Sequence, residues 1–341
     1  MIKSNKNAKC GNLFLNPPSG VRGSKLLIIL VAIALNAASC AYNDSYLDAK
    51  LPKNMAYFAS LKEYHRTLVV GEGLRFKIGA AMAGELNNNA DRTVDFKLGS
   101  DVAFPVTDLV HVPLPTDYYN YAALTGTIGK AQAIISKGSY IGYFTVVMDS
   151  VKFLNNPLAM VLPVTTAQTQ FLTLPVKIAG TSLDSVNLAN DSITVKVRYM
   201  AGTDGYYLYK NTISKKLNGN TVGTTITENY ASESDEQSWR LTTAGPFTVE
   251  VASAIGEKTT SGLKFNLIVD NSGISYQSIA GQAVVDASGP SVYDKKTRDF
   301  NLNYTYKKSG NDTIYNVNSN LIFRNRMRDG INESRDYLNK L

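Results

Sequence analysis

The feature that most constrains this chain is a series of short period-two alternations from Thr67 onward, each cut off by Gly, Asn or Asp. In LRFKIGAAMAG (74–84), Leu74, Phe76 and Ile78 alternate with Arg75 and Lys77. In RTVDFKLGSD (92–101), Val94, Phe96 and Leu98 share one face. Successive side chains of a strand point to opposite faces, so each segment has one apolar face that a second layer must cover. SYIGYFTVVMDSVKF (139–153), FLTLPVKIAG (171–180) and SITVKVRYM (192–200) extend the set. The pattern predicts an all-β fold with a β-sandwich over 67–200. DYYNYAAL (117–124), between Pro115 and Gly126, is the helical candidate.

AGTDG (201–205) is a turn cluster after a strong strand, and the domain boundary is expected there. A second series of alternating segments occupies 204–341. Phe300, Leu302, Tyr304 and Tyr306 alternate with Asp299, Asn301, Asn303 and Thr305. DNSG (270–273) and KKSGND (307–312) read as hairpin turns. Sequential strands on short turns predict a meander, closed as an up-and-down barrel or stacked as a sandwich.

The first 39 residues read differently. Leu26–Leu35 is wholly apolar and would span about 15 Å as a helix, half of a bilayer core. Lys3, Lys6, Lys9, Arg22 and Lys25 precede it, no acid lies in 1–39, and Ala37, Ala38 and Ser39 follow. A basic segment, an apolar run and small residues make a secretory signal. AASC (37–40) resembles a bacterial lipobox, so Cys40 is the expected lipidation site, with 40–66 as a tether. Several acyl chains at Cys40 would anchor the chain to a membrane. The whole chain carries 35 basic and 28 acidic residues, but five of the bases leave with the leader, and the remaining balance is +2. No basic cluster remains, so nucleic acid is not an expected partner. Cys10 leaves too, and no internal disulfide is expected.

LPVKIAG (174–180), VKVRYMAGTDGYYLY (195–209), SVYDKKTRDFNLNYTY (291–306) and RNRMRDGINESRDYL (324–338) carry a family resemblance. Together with the lipobox they resemble a Bacteroidetes family of surface lipoproteins, often encoded in polysaccharide-utilisation loci. The resemblance implies an N-terminal immunoglobulin-like domain and a C-terminal lipocalin-like β domain, both of unknown function. It covers roughly 60–341, with Asp329–Glu333 its most specific block and Ser334 where the family pattern carries Trp. It implies an outer-membrane protein facing the cell exterior, whose partner is an extracellular polysaccharide or oligosaccharide and whose neighbours include other uptake proteins. Asp44 and Asp48 after Cys40 agree with that placement. Asp149-Ser150-Val151, Asp184-Ser185-Val186, Asp191-Ser192-Ile193 and Asp312-Thr313-Ile314 match the phylum's short O-glycosylation pattern or arise by chance.

Catalytic and metal chemistry find little purchase. His65 and His111 are the only histidines, with no metal-binding spacing, and DNSGISYQS only faintly resembles a calcium loop. No GxSxG is present, GEG (71–73) lacks a phosphate-loop context, and no metal or cofactor is expected. Asp204, Glu228, Asp299 and Glu333 read as strand-end or turn residues. Arg324, Arg326 and Arg328 alternate near Asp329 and Glu333, a pattern that closes a domain rather than binds an anion. Aromatic rings remain: 20 Tyr and a single Trp, Trp239. A flat ring stacks on the apolar face of a sugar, although Tyr also favours strands for packing alone. Trp239, with Tyr206, Tyr207 and Tyr230, is the candidate ligand-binding set. The expected function is non-enzymatic glycan binding, or support of a glycan-uptake assembly, and needs an exposed aromatic platform with convergent polar groups. The alternatives are an adhesin or protein-interaction module, which needs an open strand edge, and a small apolar-ligand carrier, which needs an unfilled barrel.

Overall fold

The computed structural model describes residues 53–59, 63–84, 86–99, 102, 110–122, 131–162, 169–230, 238–252, 262–308 and 310–335. The expected signal sequence and Cys40 lie outside the described residues. The first half contains β1 (Met55–Tyr57), β2 (Glu63–Val69), β3 (Arg75–Ala83), β4 (Arg92–Leu98), β5 (His111–Pro113), β6 (Tyr119–Ala122), β7 (Gln132–Ile135), β8 (Ile141–Met148), β9 (Phe171–Thr181), β10 (Ser185–Val186) and β11 (Ser192–Met200). They form a five-stranded sheet, β10-β1-β3-β8-β6, and a six-stranded sheet, β2-β11-β9-β4-β7 with β5 on β9. The inward faces interdigitate as a sandwich, with Ile78, Phe144 and Val146 meeting Val94, Leu174, Val176 and Val195.

Three local expectations change. Residues from Met55 join the sandwich rather than a tether, because β1 pairs with β3 and β10 and buries Ala56 and Phe58 in its core. The described part of DYYNYAAL, to Ala122, is not the expected helix: Thr116–Tyr118 is a single 3₁₀ turn and Tyr119–Ala122 pairs with β8. The short helix is instead α1 (Ser150–Leu154), where Asp149 accepts the Lys152 backbone N–H at 2.9 Å and caps the first turn.

The second half contains β12 (Gly205–Leu217), β13 (Asn220–Tyr230), β14 (Trp239–Thr243), β15 (Thr248–Ala252), β16 (Lys264–Asp270), β17 (Gly273–Ser278), β18 (Val284–Ala287), β19 (Val292–Tyr293), β20 (Phe300–Lys307), β21 (Ile314–Arg328) and β22 (Ile331–Ser334). Their ladder runs β17-β16-β15-β14-β12-β21-β20-β18, so the first strand pairs with the last long one, as in an up-and-down barrel. At the seam the Val285 N–H donates to Ser278 Oγ at 2.8 Å, a side-chain bond where a backbone ladder would otherwise run. β13 is a hairpin arm on β12, while β19 and β22 attach to β20 and β21.

The barrel interior is filled. Tyr207, Trp239, Phe265, Leu302, Tyr304 and Leu321 are buried there, with Phe265 and Tyr304 centroids 5.4 Å apart. A small apolar-ligand carrier needs that space empty, so this packing counts against the carrier reading. A polar network, Glu228–Asn211–Ser319, sits within the same wall, and its bonds offset the burial of polar groups.

The two halves are stapled at AGTDG. Val70 N–H donates to the Met200 carbonyl at 2.9 Å, and a Cβ on Gly202 would stand 2.7 Å from the Val70 carbonyl oxygen, so glycine permits this approach. On the barrel side, buried Asp204 accepts both the N–H and the Oγ1 of Thr243 at 2.7 Å and pairs with Arg240 at 3.0 Å.

Candidate functional site

The four expected stacking rings do not form one exposed platform. Trp239 and Tyr207 are directly opposite in the β12–β14 ladder, both on the inner face, and both are fully buried. Trp239 packs against Tyr209 at 5.6 Å. Neither ring has a face open to a ligand, which corrects their assignment: the strand phase that buries Leu241 also buries Trp239 two residues before it. Burial also raises the Tyr207 hydroxyl well above its ordinary range. Tyr206 points outward and is half-buried, with the Arg240 guanidinium 4.5 Å from its ring centroid. Tyr230 pairs with Tyr209 at the end of β13, and its side chain lies outside the described residues.

A cleft of about 290 Å³ opens instead where the halves meet. Its floor is backbone: the β2–β3 turn at Val70–Glu72 and the linker at Gly202–Thr203. Gly71 (φ 93°) and Gly73 (φ 92°) are left-handed, and their freedom projects Glu72 from the turn between them. Phe247 forms one wall. It sits in the β14–β15 turn, half of its surface is exposed, and its carbonyl accepts the Val269 N–H at 2.8 Å. Tyr293 faces the same cleft from β19, with its ring 4.5 Å from Phe300 and its hydroxyl pushed up to about 12 by burial. Asp270, Asn271, Lys295 and Arg298 supply polar groups at the rim. Ser272 donates to Asp270 from both its hydroxyl and its N–H, which holds that carboxyl below the usual range.

Glu72 is the hub of an ion cluster beneath the cleft. It accepts from Arg298 at 2.5 Å and from Arg326 at 3.0 Å, and Arg328 lies 3.7 Å away. Arg326 is fully buried and also pairs with buried Glu333 at 2.5 and 2.8 Å; Arg328 pairs with the same carboxylate. Asp329 accepts from both the N–H and the Oγ1 of Thr67, at 2.7 and 2.6 Å, and lies 3.9 Å from Arg198. Asp299 pairs with Arg335 at 3.0 Å and caps the Phe323 N–H. The C-terminal block thus ties barrel to sandwich. Arg324 is half-buried on the same strand.

His111 lies 3.5 Å from Glu63, whereas His65 sits edge-on to Phe171 at 5.6 Å. Among the described residues no group of three or more His, Cys, Asp or Glu is placed to hold a metal ion. Sequence reasoning missed Phe247 and Glu72. The available signals were an apolar ring outside any alternation, in AGPF, and a carboxylate between two glycines.

Sandwich, staple and barrel define an all-β protein of two halves with a cleft between them. No family model and no curated protein matches the chain. A Bacteroides ovatus protein of unknown function superposes with a TM-score of 0.57 at 17% identity, covering 80% of this chain and 95% of that one. A multidomain protein including DUF1735 from Bacteroides ovatus aligns with a TM-score of 0.33 at 11% identity, over 80% of this chain and 95% of its own. An auxiliary nutrient binding protein from Bacteroides thetaiotaomicron aligns with a TM-score of 0.31 at 11% identity, over 77% and 91%. The shared fold rests on the first of these.

Proposed function

We infer that the protein is a non-enzymatic, lipid-anchored surface protein that binds extracellular glycan in the cleft between its halves, alone or within an uptake assembly in the outer membrane. The observation that carries the reading is a cleft lined by both the half-exposed Phe247 and Tyr293, together with Asp270, Asn271, Lys295 and Arg298. Apolar ring faces with a few convergent polar groups are what a sugar site requires. Both carboxylates at the cleft are already engaged, Glu72 by arginines and Asp270 by its own turn, which favours binding over acid–base chemistry.

Retention of the protein in gels containing soluble polysaccharides, followed by titration with the retained glycan, tests the cleft. Phe247→Ala should weaken binding about tenfold, or roughly 1.4 kcal/mol. Wild-type affinity in that variant, or retention by no glycan, refutes it. The anchor is tested separately: Cys40→Ala should release the protein from the membrane fraction, and recovery of an unacylated chain beginning at Met1 from cells rules the anchor out.

A protein partner is the second reading, favoured by the arm at β12–β13. β13 pairs with β12 alone among the described residues, leaving its outer edge available to an added strand.

A further inference from the structure

The outer face of the barrel opposite the polar network is paved with amides and hydroxyls. The register sets Asn303 beside Asn318, Asn318 beside Thr212, and Thr212 beside Thr227; the adjoining row is Thr305, Asn316 and Ser214. These residues are the outward phase of strands whose inward phase is Tyr304, Val317, Ser319 and Ile213. A groove of about 290 Å³ follows this face, and every side chain lining it is uncharged. Charge returns at the ends of the same outward phase, where Lys210 and Lys216 of β12 flank Thr212 and Ser214 without lining the groove.

Two observations distinguish the groove from a merely solvated face. Its amides are pre-oriented: Asn318 Nδ2 donates to Asn301 Oδ1 at 3.0 Å and to Asn303 Oδ1 at 2.8 Å, which fixes rotamers before any ligand arrives. Asn316 Nδ2, in the groove lining, is buried and has no hydrogen-bond partner. A buried donor left unmatched costs about 1–3 kcal/mol, and a ligand acceptor recovers it.

We propose that this groove is a second binding site, for a neutral oligosaccharide, separate from the cleft between the halves. Primary amides and hydroxyls both donate and accept, as sugar hydroxyls do. An anionic polymer would find no cation among the lining side chains, and an apolar ligand would leave the amides unpaired. The site therefore selects a polyhydroxylated, uncharged chain laid across the strands.

The test uses the full chain and calorimetric titration with cellohexaose, xylohexaose, mannohexaose, maltohexaose and laminarihexaose, with polygalacturonate as the charged comparison. Asn316→Asp keeps the shape and removes the donor; Thr212→Val removes an exposed hydroxyl without disturbing the core. Phe247→Ala weakens the cleft about tenfold, so an affinity that it leaves unchanged belongs to another site. At least one neutral hexaose should bind the Phe247→Ala protein, with an affinity unchanged between low and high salt. That residual binding should fall fivefold or more in Asn316→Asp and measurably in Thr212→Val. Binding by no neutral hexaose, indifference to both groove substitutions, or preference for polygalacturonate overturns the proposal. Loss of all binding in Phe247→Ala alone overturns it while leaving the cleft reading intact. Loss confined to the groove variants upholds it and removes the cleft reading.

Discussion

Replacing Glu333 by Gln tests how the two halves hold together. Arg326 has no exposed surface; its Nε donates to Glu333 at 2.8 Å and its Nη2 to Glu333 at 2.5 Å and Glu72 at 3.0 Å, while Nη1 is buried without a partner. Burial, the largest influence, would lower its affinity for the proton; Glu72 and Glu333 outweigh it and hold the group above its ordinary range. Removing one partner of a buried pair leaves an undercompensated charge and costs about 3–5 kcal/mol. Because Glu72 stays in place, the lower end applies. Glu72→Gln should cost less, about 1–2 kcal/mol, because the Glu72 side chain is 38% exposed and its interactions are screened by water. At roughly 2–4 °C per kcal/mol, Glu333→Gln lowers Tm by about 6–12 °C and Glu72→Gln by about 2–8 °C.

The same cluster makes a prediction about cooperativity. Glu72 and Asp329 both bridge the halves, one reaching barrel arginines and the other reaching Thr67 and Arg198 of the sandwich. Trp239, the single tryptophan, reports the barrel alone, whereas far-ultraviolet circular dichroism reports both halves. In urea the two signals should unfold together in the native protein. They should separate in the Glu72→Gln/Asp329→Ala double variant, after which residues 53–200 and 204–335 behave as independent units. Separate transitions already in the native protein, or coincident ones in the double variant, refute the linkage. A larger loss for Glu72→Gln than for Glu333→Gln refutes the argument from burial.

Trp239→Ala removes a fully buried ring and should cost about 3–5 kcal/mol, read as a lower urea midpoint; near-native stability would contradict its core placement. Gly142→Ala should destabilise by about 1–3 kcal/mol, because a Cβ there would lie 2.5 Å from the Ile134 carbonyl oxygen, and a neutral result would show that the strand can shift. Burial first, then Arg198 and Lys196, hold the His65 pKa below its ordinary 6.5. The unfolded chain therefore binds that proton more readily, so the His65 contribution is present above about pH 6.5 and fades as pH falls. Thermal melts at neutral and mildly acidic pH should show a smaller acid-induced loss in His65→Gln than in the native protein; an equal loss removes His65 as its source.

The strands were legible because their periodicity is local. SITVKVRYM is the strand Ser192–Met200, and its face of Ile193, Val195, Val197 and Tyr199 is the buried one. The α1 helix escaped because it is only five residues long and follows directly on the strand that ends at Met148, although Asp149 and Ser150 interrupt the apolar run and Asp149 supplied a cap signal. DYYNYAAL looked helical between its flanking Pro and Gly, yet Tyr119 and Tyr121 fall on one strand face with rings 6.4 Å apart. What no single segment encodes is register. Barrel closure depends on β12 meeting β21, more than a hundred residues away.

Chemistry and position separate at the same point. Trp239 has a ring able to stack on a sugar, but Leu241 at i+2 already places it in the buried phase of its strand. The phase rule that disqualifies Trp239 also promotes Asn316 and Asn318, which alternate with Val317 and Ser319. On β21 alone those asparagines read as ordinary solvent-facing residues. Only pairing across β20, β21 and β12 gathers them into a surface, and only the fold leaves Asn316 Nδ2 buried without a partner. Phe247 stands outside any strand phase and needs no period to be exposed. In this chain the buried phases hold the aromatic residues that build the barrel, which leaves the outward phases and the turns as the places where side chains are free to meet a ligand.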